Sequence, residues 1–91
     1  MTRLKVLLVD DHLLFRKGLA SLLSYRDDFQ IVGEASDGLE AIKKAQEAEP
    51  DIILMDVHMP NCDGLQAVRA IRPKLPRTSI IMLTADEQDE T

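Results

Sequence analysis

Three carboxylates and a hydroxyl stand out in this chain because each closes an apolar run. Asp10 and Asp11 follow Val6-Leu7-Leu8-Val9, Asp56 follows Ile52-Ile53-Leu54-Met55, and Thr84 closes Ser79-Ile80-Ile81-Met82-Leu83. If these runs are neighbouring strands of one parallel sheet, the four side chains share a rim beyond the strands' carboxyl ends, where open α/β sheets gather ligands. Close carboxylates repel one another, and a cation among them relieves the repulsion. Oxygen donors with room for water suit Mg2+. A carboxylate beside such a metal, with a hydroxyl donor nearby, is arranged for phosphoryl transfer, in which developing negative charge has to be met. Taken singly, Asp11 or Thr84 could cap a helix and Asp56 could be an ordinary polar strand end. Their common place at the ends of three strands favours chemistry over capping.

The elements that must position them follow from the hydrophobic pattern. Val6 to Val9 and Ile52 to Met55 are continuous apolar runs, the pattern of strands buried on both faces. Phe29 to Ala35 is a second strand, broken by Asp37-Gly38, and Ser79 to Thr84 is a fourth. Leu14, Phe15, Gly18, Leu19, Leu22 and Leu23 recur with a step near four, which predicts a helix with one apolar stripe. Ala41, Ile42, Ala45 and Ala48 predict a second helix, ended by Pro50. Leu65, Val68 and Ile71 predict a third after a turn over Met59 to Gly64, with Pro73 and Pro76 closing it. Residues 85–91 are polar and acidic and could begin another helix. Strands alternating with helices imply a parallel sheet covered on both faces by right-handed crossovers.

Composition excludes several alternatives. With 91 residues, 45% of them hydrophobic, the chain supports one small globular domain and is too apolar for disorder. The net charge of −5 and the scattering of Arg16-Lys17, Lys43-Lys44 and Arg69 to Arg77 argue against direct nucleic-acid binding by this segment. Cys62 is the single cysteine, so no intramolecular disulfide forms, and a loop thiol is its plain reading. The run Leu4 to Val9 is too short for a signal-peptide core and nothing approaches a membrane span, so a cytoplasmic protein without membrane contact is expected.

Four segments together carry a family resemblance. Leu7-Leu8-Val9-Asp10-Asp11-His12, Asp51-Ile52-Ile53-Leu54-Met55-Asp56, Met59-Pro60 with Asp63-Gly64, and Ile81-Met82-Leu83-Thr84-Ala85 resemble the receiver domains of bacterial two-component response regulators in type, order and spacing. The stretch from Asp11-His12 through Phe15-Arg16-Lys17-Gly18-Leu19 looks like the NarL/FixJ group, whose output domain is a LuxR-type helix-turn-helix. The resemblance implies an α/β, flavodoxin-like (CheY-like) parallel sheet with helices on both faces and strand order 2-1-3-4-5. Residues 1–91 would then be a receiver domain ending before the fifth βα unit, with the output domain absent.

The resemblance also implies roles. Asp56 would take a phosphoryl group from the phosphohistidine of a sensor histidine kinase. Asp11 would hold Mg2+ directly, Asp10 directly or through water, and Asp56 and the His58 backbone carbonyl would complete the protein's share of the ligands. Thr84 would bond a phosphoryl oxygen, and the small Ala85 would keep the approach to Asp56 open. The family's Lys, at the end of its fifth strand, would lie beyond Thr91. Without that unit the fourth strand becomes an edge and apolar surface on the first helix or the strands stays exposed, so a homodimer or higher oligomer is expected. The parent would be a transcription regulator and the domain not a turnover enzyme. Two other readings compete: a module used only for association, and a Mg2+-dependent aspartyl-phosphate phosphatase. The phosphatase reading expects an acid two residues after the nucleophile, where this chain has His58.

Overall fold

The computed structural model describes residues 3–57, 59 and 63–83. The elements run β1 (Leu4–Val9), α1 (Leu13–Ser24), β2 (Phe29–Ala35), α2 (Gly38–Ala48), β3 (Ile52–Asp56), α3 (Gly64–Ile71) and β4 (Ser79–Leu83). The four strands form one parallel sheet in the order β2-β1-β3-β4. The two most apolar runs, β1 and β3, take the two central places, where a strand is covered on both faces. This is the architecture the sequence predicts, and its strand order matches the first four strands of 2-1-3-4-5.

Side-chain alternation divides the core between the two faces. Leu7 and Val9 of β1 and Ile53 and Met55 of β3 pack with Ala35 and with Ala41, Ala45, Ala67 and Ile71 of α2 and α3. Alanines on the inner sides of α2 and α3 let these helices sit close to each other and to the sheet. Val6 and Leu8, equally buried, face the other way, toward α1. Each fully buried Leu or Ile is worth about 1.5–3 kcal/mol relative to exposure, so this strand pair dominates the fold's stabilisation.

Helix α1 is different. None of its residues is buried; Leu19, Ala20 and Leu23 are half-buried against the sheet, while Leu14 (86%) and Leu22 (66%) stand in solvent. The apolar stripe is therefore wider than the surface that β1 and β2 offer it.

Register carries the fold to the site. Val9 lies opposite Met55, and Asp56 opposite Leu83, so the residues after β1 and at the end of β3 reach the same rim. Between β1 and β2 the pairing slips: Val6 faces Ile31 but Leu7 faces Gly33. This bulge puts Glu34 opposite Leu8, on the face toward α1, rather than opposite Val9 on the α2–α3 face.

Candidate functional site

At the carboxyl rim, Asp10, Asp11, His12 and Asp56 each offer a ligand atom, and these atoms all lie within 4.8 Å of one another. Asp10 and Asp56 are buried, with 5% and 4% exposed. Two buried acids at the ends of adjacent central strands are costly unless a partner or an ion meets their charge. Their oxygens, with that of the partly exposed Asp11, make a donor set that fits a hard divalent cation. Asp10, Asp11 and Asp56 are thus brought together as the sequence predicts. Thr84, Ala85 and His58, together with Pro60, Cys62 and residues 85–91, lie outside the described residues.

Asp11 does not serve as a helix cap. The N-cap of α1 is His12, whose side chain makes no capping bond, and Asp11 makes no hydrogen bond to the helix's amides among the described residues. Asp10 instead shapes the turn: its Oδ1 accepts from the His12 amide at 2.7 Å. Its own N–H donates to the Ala35 carbonyl at 3.0 Å, tying the end of β1 to β2.

Sequence reasoning passed over three residues that the structure brings in. His12 Nδ1 lies 3.1 Å from both Asp10 Oδ1 and Asp11 Oδ1. The hydrogen bond with Asp10, then the charge of Asp11, push the imidazole above its ordinary value. The signal for His12 was its place in the Asp10-Asp11-His12 motif. The other two are Arg16 and Glu34. The Arg16 guanidinium donates through Nη1 to the Asp10 carbonyl at 2.6 Å and through Nε to Glu34 at 2.8 Å. Glu34 also accepts from Lys17 at 3.2 Å, and the Arg16 hydrogen bond above all holds its carboxyl below the usual range.

The start of α3 is tied to the end of β3. Asp63 caps the helix through a capping box with Gln66. The Gly64 N–H donates to the Val57 carbonyl at 3.0 Å. A Cβ on Gly64 would stand 2.6 Å from the Asp56 carbonyl oxygen and 2.8 Å from Met82 Cε, closer than real contacts allow. Only glycine lets the helix start this near the backbone of Asp56.

An acidic rim on a β2-β1-β3-β4 sheet defines a class, the doubly wound receivers of signalling groups, and comparison with known proteins makes the family explicit. Residues 6–91 match the response regulator receiver domain family model, and the chain belongs to that family. It is 46% identical over 87 residues to the response regulator protein VraR of Staphylococcus aureus, covering 96% of this chain and 42% of VraR. Its structure resembles the signal receiver domain of NarL from Mycobacterium tuberculosis, with TM-score 0.89 and 36% identity over 97% of this chain and 71% of that one. It also resembles a CheX–CheY–BeF3–Mg2+ complex from Borrelia burgdorferi, with TM-score 0.87 and 29% identity over 97% of this chain and 66% of that one. The chain spans under half the length of the curated relatives it matches. Among the described residues, no helix is long and apolar enough to cross a membrane.

Proposed function

We propose that Asp56 is the phosphoacceptor of this receiver domain, taking a phosphoryl group from a phosphohistidine on a sensor histidine kinase. The observation that carries the reading is the convergence of Asp10, Asp11 and Asp56 at the ends of the two central strands. A carboxylate oxygen of Asp56 attacks phosphorus, the P–N bond to the donor imidazole breaks, and a P–O bond forms the acyl phosphate. Asp11 and Asp56 would hold Mg2+, with the His58 backbone carbonyl and Asp10 supplying further oxygen by the family resemblance. When bound, the metal offsets charge on the transferring group. The buried Asp10 and Asp56 carboxylates keep that charge in a region poorly screened by solvent, where such electrostatics are strongest. By the same resemblance Thr84 would bond a phosphoryl oxygen and the small Ala85 would leave the approach open. That the similar Borrelia burgdorferi CheX–CheY complex contains BeF3 and Mg2+ supports a phosphoryl-and-metal chemistry for this fold.

On this reading the domain stores one phosphoryl group and is not a turnover enzyme. Its parent is a cytoplasmic transcription regulator of the NarL/FixJ type, supported by the likeness to VraR and NarL. DNA contact belongs to an output domain and not to this acidic segment. The test is exposure to a small acyl-phosphate donor with Mg2+ or with a chelator, read by intact mass. One phosphoryl adduct is expected with Mg2+, and none with chelator or in Asp56→Asn. An equal adduct in the chelated sample would count against the metal's part.

A further inference from the structure

We propose that Arg16 is a positioning residue for the acidic pair, fixing the Asp10–Asp11 peptide so that the Asp11 carboxylate faces the site, with Glu34 holding Arg16 in place. The inference rests on the reading that these acids hold a divalent cation.

The guanidinium fork spans two elements. Nη1 donates to the Asp10 carbonyl at 2.6 Å and Nε to Glu34 Oε1 at 2.8 Å, and the Arg16 side chain is only 13% exposed. The Asp10 N–H is meanwhile held by the Ala35 carbonyl at 3.0 Å. Asp10 is therefore gripped on both sides of its Cα. A peptide is planar, so fixing the Asp10 oxygen also fixes the plane of the Asp11 N–H and the direction in which the Asp11 Cα leaves it. With the plane fixed, and with no cap role on the following helix, the Asp11 carboxylate has only its own φ and χ1 left to aim it.

Glu34 reaches this position because of the bulge in β2. The slip between Val6 and Leu7 turns Glu34 to the α1 face, where Arg16 and Lys17 meet it, and the Lys44 ammonium donates to its backbone carbonyl from α2. Bulges commonly re-aim a side chain beside a functional site. The arrangement also needs arginine. A lysine has one compact ammonium and cannot supply two donors in a rigid fork directed at two acceptors. An ion pair serving only the surface would accept either cation.

The test compares wild type, Arg16→Ala, Arg16→Lys and Glu34→Gln by NMR, first without metal and then in a Mg2+ titration. Without metal, both Arg16 variants should shift the Asp10 carbonyl resonance and lower the order parameters of Asp11 and His12, while Leu7 and Leu8 stay as in wild type. With Mg2+, both should bind about tenfold more weakly or worse, the usual scale for losing a group that orients a metal ligand. Glu34→Gln should move the same signals by less, and it carries the test should Arg16→Ala fail to fold. Wild-type-like Asp10, Asp11 and His12 signals in Arg16→Ala overturn the proposal, as does full rescue by Arg16→Lys. If wild type itself gives no response to Mg2+, the metal reading fails, and the metal-free comparison still decides whether Arg16 positions the pair.

Discussion

Glu34 is separated from the acidic rim by one side chain, and its ionisation ties the stability of the domain to pH. Arg16 first, then Lys17, holds its carboxyl below the ordinary carboxylate value of 4.5. The folded state thus releases this proton more readily than the unfolded chain does. The stabilisation is full above the ordinary value and disappears as pH falls through the lowered folded value. The contact is partly open to solvent, so its worth is about 1 kcal/mol. Urea unfolding at a series of pH values below about 5 should show wild type losing more stability than Glu34→Gln. Parallel losses in the two proteins would mean that the ion pair contributes nothing. Exposed His12 has the opposite sign: the acids around it favour its charged form, and a bound cation would compete with that charge.

The contact between α3 and β3 turns on Gly64. Adding a methyl there forces it against the Asp56 carbonyl, and backbone cannot yield as a flexible side chain can. Gly64→Ala should therefore destabilise by about 1–3 kcal/mol, the usual cost of overpacking, despite the better helix propensity of alanine. Thermal melting measures it, and an unchanged or raised melting temperature would contradict the contact. The strands and helices were legible in the sequence because each apolar run or stripe has one period over most of its length. The rim acids were legible because they interrupt those runs. What could not be read depends on register. The Arg16–Glu34 pair requires that β2 lie beside β1 with one extra residue, and Phe29 to Ala35 hints at this only through Gly33. The approach of Gly64 to Asp56 depends on where the loop lands, which no local pattern encodes. Burial of α1 was also beyond the pattern, since a stripe gives the apolar face but not the area available to cover it.

At the scale of the molecule, two of the surfaces open among the described residues concern association. One is the exposed part of α1 around Leu14 and Leu22; the other is β4, at the edge of the sheet, with Ile81 open to solvent. An apolar strand edge pairs readily with another chain. A polypeptide of these 91 residues should therefore self-associate, and Ile81→Lys should shift it toward monomer; sedimentation equilibrium measures both. A monomer at high micromolar concentration would contradict this expectation. Phosphoryl acceptance by the Asp56 carboxylate can be tested at that residue. After treatment with a small acyl-phosphate donor and Mg2+, borohydride reduces an aspartyl phosphate to homoserine, which peptide mass spectrometry locates. Homoserine is expected at position 56 and nowhere else, and none in protein not treated with the donor. Homoserine at Asp10 or Asp11, or an unmodified Asp56 in protein that carries phosphate, would contradict it.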